Sequence, residues 1–420
     1  MWLAVLVFLA AYTAIVTDKI HRTVTALLGG CIVVVGGVIS QEEAFASIDF
    51  NTIGLLIGMM LVVGITRQSG VFEYAGIRAA KLAGGRPASL LVVLSLLTAG
   101  ASALLDNVTT VLLIVPVTYA IADQLRVSPI PFIFAEILSS NIGGTATLIG
   151  DPPNIMIGSA AGLGFVDFLV NLGPPVLVIL VFTLALLLVM FRRQLQASPQ
   201  DIQAVLQMDE TQMVKDWALM KKSLLVLALT TVGFFLHQAL HLESATIALL
   251  AASVLMLVAG ESPEENLLTV EWPTIFFFAG LFVMVGGLEA TGVIDFIAVK
   301  GLEVTQGDLL GTGMLVLWLS AIASAVLDNI PFTATMIPVL QSMGEAGALP
   351  LESLWWALAL GACLGGNGTL IGASANVIVA GLAEKKGDHI RFMDFFVVGF
   401  PLMLLSIVLS SLYLYLFFWR

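Results

Sequence analysis

The sequence predicts an all-α polytopic membrane protein with two inverted-topology repeats. We expect about ten membrane-spanning helices, two re-entrant helical hairpins and two broken helices. Of the 420 residues, 59% are hydrophobic and only 11% are charged, whereas a soluble domain has about 25% charged residues. Apolar runs long enough to cross a bilayer recur along the chain. Two further observations support this fold class: an internal repeat, and polar sequence inside apolar segments.

The repeat is visible in two segments that share an acidic dipeptide. "LDNVTTVLLIVPV" begins at Leu105 and "LDNIPFTATMIPV" at Leu327, which is a shift of 222 residues. The same shift, without gaps, aligns Ala26 with Ala248, Thr52 with Thr274, Gly58 with Gly280, Gly64 with Gly286, Pro116 with Pro338, Thr147 with Thr369 and Asn154 with Asn376. Such a series of matches in one register indicates a tandem duplication.

The apolar segments predict the division of the chain. Unbroken helices are expected near residues 2–17, 22–39, 50–66, 168–191, 223–238, 244–260, 272–288 and 394–418. The predicted division is a first repeat at 1–191 with a hairpin at 88–122 and a broken helix at 131–160, a linker at 192–222, and a second repeat at 223–420 with a hairpin at 310–346 and a broken helix at 352–382.

The two hairpins determine the relative orientation of the repeats. Their apolar arms are too short and too interrupted for comfortable spans, so we predict that both hairpins are re-entrant. Five membrane crossings then separate each helix from its repeat partner. Because five is an odd number, the second repeat has the opposite orientation in the membrane. Inverted duplication of this kind is typical of secondary transporters.

Basic residues predict the orientation in the membrane, because short cytoplasmic loops are enriched in Lys and Arg. One side receives Lys19, Arg22, Arg67, Arg78, Lys81, Arg86, Arg126, Arg192, Arg193, Lys215, Lys221, Lys222, Lys385, Lys386 and Arg391. The opposite loops "SQEEAFASIDF" and "AAGLGFVDF" contain neither residue type, and Lys300 is the exception in a short outer loop. We therefore predict a multi-pass protein of the cell inner membrane, with both termini outside and the linker in the cytoplasm.

Four polar stretches interrupt the apolar sequence and predict a binding site in the lipid bilayer. Two are the hairpin tips, and the other two, "NIGGTATLIGDPPN" and "GGNGTLIGASAN", are helix breaks. Unwound backbone is tolerated at membrane depth only where it is buried in protein or lines a cavity, and its carbonyls and half-helix termini bind ions and polar solutes. The candidate substrate- or ion-binding residues are Asp106, Asn107, Thr109, Thr110, Thr145, Thr147, Asp151, Asn154, Asp328, Asn329, Thr333, Asn367, Thr369, Ser374 and Asn376.

Acidic residues inside the membrane are expensive and mark ion or proton pathways. Asp106 and Asp328 are therefore the predicted proton-coupling residues, although a lone Asp can also simply cap a helix. Asp151, whose repeat partner is alanine, is either an ion ligand in one half or a cap for the helix that begins at Pro152. Glu136 is either a proton-relay acid or a buried structural carboxylate. No nucleophile–base pair or metal-ligand set indicates an enzyme, and we expect neither a cofactor nor a nucleic-acid partner.

The segments "LDNVTTVLLIVPVT" and "NIGGTATLIGDPPNIMIGSAAGLGFVDF" resemble the ion transporter superfamily. The branch is the one that contains ArsB-type arsenite-efflux permeases, NhaD-type sodium/proton antiporters and the melanosomal P protein; citrate and dicarboxylate carriers are more distant. This resemblance implies elevator-like movement of a transport domain against a scaffold, and commonly a homodimer formed through the scaffold. Dicarboxylate relatives carry Ser-Asn-Thr at both hairpin tips, whereas this chain has Asp106 and Asp328 at the Ser positions.

The expected function is proton-coupled efflux of arsenite or antimonite, as in an ArsB-type permease. Neutral As(OH)3 or Sb(OH)3 suits Thr and Asn hydrogen bonds, and none of the four polar stretches contains Lys or Arg. An ArsB-like protein would also have a soluble ATPase subunit as a partner. The alternatives are a Na⁺/H⁺ antiporter and, third, an anion or dicarboxylate carrier, which the additional acids disfavour through like charge.

Overall fold

The computed structural model describes residues 1–17, 19–260, 262–347 and 349–420, and within these ranges the chain forms 21 α-helices. Ten helices precede the linker: α1 (Trp2–Thr17), α2 (Arg22–Val35), α3 (Gln41–Ala46), α4 (Phe50–Gln68), α5 (Val71–Leu82), α6 (Pro87–Ser102), α7 (Asn107–Leu125), α8 (Ile130–Thr145), α9 (Pro152–Ala161) and α10 (Phe165–Phe191). The linker contains α11 (Pro199–Leu206) and a 3₁₀ turn (Glu210–Met213).

Ten further helices follow the linker. They are α12 (Trp217–Leu236), α13 (Ser244–Ala259), α14 (Pro263–Leu267), α15 (Trp272–Ala290), α16 (Val293–Thr305), α17 (Leu309–Val326), α18 (Asn329–Gly347), α19 (Glu352–Gly365), α20 (Ser374–Lys386) and α21 (Phe392–Phe417). Helices α4 and α15, and likewise α7 and α18, begin and end at positions 222 residues apart. The helix boundaries therefore confirm the repeat that the sequence predicts.

Seven of the described helices are long and apolar enough to cross a membrane: α4, α7, α10, α12, α15, α17 and α21. Four shorter apolar helices, α1, α2, α6 and α13, accompany them. Two of the seven, α7 and α17, are hairpin arms, so the expectation that all arms are too short is wrong. Pro116 lies inside α7 and Pro338 inside α18 without ending either helix. Neighbouring helices in a membrane bundle make such prolines tolerable.

Several predicted helix boundaries differ from the observed ones. The linker ends earlier than predicted, because α12 begins at Trp217 and not near residue 223. Helix α2 ends at Val35, four residues before the predicted end, and α10 begins at Phe165. Helices α5 and α16, which join a spanning helix to a hairpin in each repeat, were not predicted. They are short and carry charged residues such as Arg78, so no long apolar run marks them.

The two repeats interlock through symmetric crossings of small residues. Helix α4 packs on α13 and α15 packs on α2, which are equivalent pairs in the 222-residue register. At the crossings, Gly58 lies against the backbone of Ala248 and Gly280 against that of Ala26. Small residues allow this approach, and in lipid such contacts drive helix association. The remaining helices form a bundle in which α7 packs on α20 and α18 packs on α9.

Gly280→Ala is expected to destabilise the protein by about 1–3 kcal/mol, because overpacking of a tight contact displaces the backbone. A Cβ at Gly280 would lie 2.4 Å from the carbonyl carbon of Ala26. The measurement is thermal unfolding in detergent. Gly100→Ala in α6 is the matched control, since a Cβ there meets nothing within 4 Å. Equal melting temperatures for both variants would contradict the proposed role of this crossing.

The linker is fastened to α5 by an ion-pair cluster. The Glu210 carboxylate accepts hydrogen bonds from Lys81 Nζ and, at 2.9 Å, from Arg78 Nη1. The backbone N–H of Lys215 donates to the carbonyl of Ser69 at 2.9 Å. The hydrogen bond from Lys81, supported by that from Arg78, lowers the pKa of Glu210 to about 2.

Glu210→Gln is expected to increase hydrogen exchange in residues 199–216 at neutral pH. Because the folded protein lowers the pKa of Glu210, its stabilising contribution is complete above the ordinary value of 4.5 and is lost as the pH falls towards about 2. The difference between wild type and variant should therefore disappear over that interval. Glu265→Gln, at an exposed position, is the control. A difference that persists near pH 2 would contradict the assignment.

Candidate functional site

The two hairpin turns and the break between α8 and α9 meet around a small cavity. Its volume is about 30 Å³, which is enough for one or two water molecules. Five of the predicted residues line it: Asp106, Asn107, Asp151, Asn329 and Ser374. The sequence did not predict three other polar residues in the wall, which are Arg22, Glu271 and Thr274.

At the first hairpin tip, Asp106 caps α7 and also lines the cavity. Its carboxylate accepts hydrogen bonds from the Thr109 backbone N–H at 2.7 Å and from the Thr109 hydroxyl. The helix-capping alternative is therefore realised at Asp106, together with exposure to the cavity. The neighbouring Asn107 is buried and donates to Asn141 Oδ1 at 3.0 Å. The hydroxyl of Thr110 is buried and has no hydrogen-bond partner among the described residues.

At the second hairpin tip, Asp328 lies directly behind the cavity wall. Its Oδ2 accepts from Arg22 Nη1 at 3.2 Å and from the Ser374 hydroxyl at 2.6 Å. Asn329 donates to both carboxylate oxygens of Asp151, at 3.1 and 3.3 Å. Asp151 precedes α9 but makes no side-chain capping bond there. Of its two alternatives, capping by the side chain is wrong, and the carboxylate points towards the other repeat.

A network of buried amides connects the two repeats beneath the hairpin tips. Asn141 Nδ2 donates to Asn367 Oδ1 at 2.9 Å and to Asn376 Oδ1 at 3.0 Å. Its Oδ1 accepts the bond from Asn107, so Asn141 joins a hairpin to both broken helices. In the repeat register Asn141 corresponds to Cys363, whose thiol lies 3.4 Å from Asn154 Oδ1. Asn141 lies within the polar stretch "NIGGTATLIGDPPN" but is not among the predicted site residues.

Other predicted residues complete the helix breaks and do not line the cavity. Asn154 donates to the carbonyls of residues 144, 145 and 147, and Asn376 to those of 366 and 369. Thr147 and Thr369 donate to the carbonyls of Ala103 and Ala325, at the ends of α6 and α17 respectively. Thr145 and Thr333 bond to the carbonyl four residues earlier, at Asn141 and Asn329 respectively. The bonds from Asn154 and Asn376 satisfy backbone carbonyls that the interruption of each helix leaves free, whereas the bonds from Thr145 and Thr333 lie within α8 and α18.

The charges at the cavity differ from the expectation. The wall contains three acidic residues, Asp106, Asp151 and Glu271, and one basic residue, Arg22. The expectation of a site without a basic residue is wrong, because Arg22 reaches the site from the start of α2 and not from any of the four polar stretches. One signal in the sequence distinguishes it: its repeat partner is Ser244, so the charge is not duplicated.

Two further buried groups lie in the bundle. Glu136 accepts a hydrogen bond from the Thr118 hydroxyl, and its Oε2 has no partner among the described residues. Cys363 is fully buried, and both cysteines, Cys31 and Cys363, are free. Neither Glu136 nor Cys363 lines the cavity.

Comparison with known proteins agrees with this architecture. The profile of a family described as "Citrate transporter" matches residues 12–361. An uncharacterized transporter of Mycobacterium tuberculosis is 45% identical over 419 residues, covering 98% of this chain and 97% of the relative. The human P protein is 34% identical, covering 98% of this chain and 59% of its own length. This match confirms the predicted relationship to the P protein.

A solved structure supports the same fold. The YdaH transporter of Alcanivorax borkumensis, described as having an unusual topology, aligns with a TM-score of 0.60 at 15% identity. The alignment covers 87% of this chain and 85% of that chain. At this level of identity the likeness concerns the fold alone.

Proposed function

Because the chain belongs to the citrate transporter family and is a multi-pass membrane transporter, we propose that it is a secondary active transporter that exchanges protons for a small monovalent cation such as sodium. The observation that carries this proposal is the charge of the cavity wall. Three carboxylates face one guanidinium in a space of about 30 Å³. Carboxylate, amide and unwound carbonyl oxygens are the groups that coordinate Na⁺ and H⁺ in transporters of this kind.

Of the two predicted proton-coupling residues, Asp106 is the first candidate. It lies in the cavity wall, and within the described residues it forms no ion pair. Burial favours the uncharged form of a carboxyl group, while a bound cation favours the charged form, so proton and cation compete for one site. Asp151, from the same repeat as Asp106, and Asn329, from the opposite repeat, line the same cavity and supply further oxygen ligands.

Efflux of arsenite or antimonite is the second candidate. A neutral trihydroxide needs hydrogen-bond donors and acceptors without net charge, and the tip amides Asn107 and Asn329 provide both. The buried thiol of Cys363 lies 3.4 Å from Asn154 Oδ1 and also contacts Asp151, whose carboxylate accepts a hydrogen bond from Asn329. Citrate has less support from the wall, since its carboxylates would meet three acidic residues and a single guanidinium that Asp328 already pairs.

We propose an elevator movement in which the bundle of α5–α10 and α16–α21 moves against α1–α4 and α12–α15. We divide the helices in this way because the helices of each group pack in pairs on other helices of the same group. The homodimer, the soluble ATPase subunit and the outward termini stay predictions.

The test uses proteoliposomes with an imposed pH gradient and a trapped pH dye. Sodium is expected to collapse the gradient, and arsenite or citrate is not. Liposomes without protein are the control, and potassium in place of sodium tests the selectivity among monovalent cations. Accumulation of labelled arsenite in sodium-free buffer would favour the second candidate, and citrate-driven proton movement would favour the third. If no solute moves protons, the proposed exchange is wrong.

A further inference from the structure

Asp328, the acid at the second hairpin tip, forms an ion pair with Arg22 of the same protein. Arg22 Nη1 lies 3.2 Å from Asp328 Oδ2 and 2.5 Å from the Ser374 hydroxyl, which in turn donates to Asp328. Arg22 Nη2 lies 3.4 Å from Thr274 Oγ1, and the guanidinium carbon is 5.4 Å from the centre of the Phe277 ring. Four groups, Asp328, Ser374, Thr274 and Phe277, thus hold one guanidinium at the tip of the hairpin.

The first hairpin acid has no such partner. In the repeat register Asp106 corresponds to Asp328, but Arg22 corresponds to Ser244 and Ser374 to Pro152. Within the described residues Asp106 accepts side-chain bonds only from its own helix turn, at Thr109. The duplication therefore supplied two equivalent acids, and in this structure one of them is paired with the guanidinium of Arg22.

The other charged groups near the two hairpin tips also support different roles for Asp106 and Asp328. The titratable or charged groups that interact with Asp328 are Arg22, Asp151 and Tyr12, and Asp106 and Glu271 line the adjacent cavity. Only Arg22 among them carries positive charge. Without it, the three acidic residues of the wall and Asp328 behind it would have no matching positive charge at the cavity and would favour more than one bound cation. With it, the charge of Asp328 is matched inside the protein.

On the basis of the proposed function, we infer that Arg22 is a tethered cation that takes the place of a second transported cation at Asp328. Exchange then uses one cation site, formed around Asp106 and Asp151. Arg22 therefore determines how many cations bind per transport cycle. Its position at the start of α2, with Asp328 at the start of α18, also means that this pair joins the two groups of helices.

The experiment measures the sodium dependence of proton exchange in proteoliposomes. Wild type and Arg22→Lys are expected to have Hill coefficients of about one, whereas Arg22→Gln should rise towards about two, the number of sites then available. Asp328→Asn should strongly reduce exchange, because it leaves the guanidinium unpaired beside the cavity. The double variant Arg22→Gln/Asp328→Asn should regain exchange with a coefficient of about one.

The double variant keeps the test decisive if Arg22→Gln does not fold. Recovery of exchange in the double variant relative to Asp328→Asn supports the inference, and failure to recover overturns it. An unchanged coefficient in a folded Arg22→Gln protein also overturns it. Absence of sodium–proton exchange in the wild type would instead contradict the proposed function, and the inference would fall with it. Both sets of results are readable from the same preparations.

Discussion

Asp106→Asn is expected to abolish proton-coupled transport, down to the level of liposomes without protein. Asparagine cannot release a proton or offer a negative charge to a cation, so the exchange site at the first hairpin loses its function. The fold should survive, because asparagine caps helices about as well as aspartate. The side-chain oxygen of Asn can still accept the bond that the Thr109 N–H donates to Asp106 at 2.7 Å. The measurement is the pH-gradient assay, together with thermal unfolding.

Asp308 offers a matched control for the loss of a capping carboxylate. It caps α17, where it accepts from the Gly311 N–H at 2.7 Å, and it is exposed far from the cavity wall. Asp308→Asn should therefore leave exchange unchanged. Asp106→Ala should lose both transport and about 0.5–2 kcal/mol of stability, since it also removes the cap. Robust exchange in Asp106→Asn would show that another group carries the proton.

The repeat made most of the helical scaffold predictable. Apolar runs of spanning length and the 222-residue register fixed the order of helices, hairpins and breaks, because long apolar segments have few alternatives in lipid. Boundaries were less predictable where polar residues continue a helix, as at the end of α7 and the beginning of α12. The surface helices α5 and α16 lack the long apolar runs on which the prediction depended.

The candidate site was only partly predictable, because the sequence identifies polar residues but not the direction of their side chains. Asp106, Asp151 and Asn329 reach the cavity as expected. Asn154 and Asn376 have the same residue type and a similar setting, yet they bond to the carbonyls of the helix breaks. Arg22 was missed because its long side chain enters the site from a helix that carries no polar motif.

The buried amide network leads to the second large effect. Asn141→Ala is expected to destabilise the protein strongly, because it removes one partner from three buried groups at once. Asn107 Nδ2, Asn367 Oδ1 and Asn376 Oδ1 would each lose a bond of 2.9–3.0 Å. A buried polar group left without a partner costs about 1–3 kcal/mol. The measurement is the free energy of unfolding, or the melting temperature, in detergent.

The repeat provides the control for this prediction. Cys363 stands at the position equivalent to Asn141, is equally buried, and makes only weak thiol contacts, at 3.4 Å with Asn154 Oδ1 and with the side chains of Asp151 and Thr145. Cys363→Ala should therefore cost only about 1 kcal/mol, as expected for removal of one small apolar group. The difference between the two variants isolates the hydrogen bonds from the change in volume. If both variants melt at the same temperature, the amide network does not hold the first hairpin to the two broken helices, and the connection between the repeats must lie in their apolar packing.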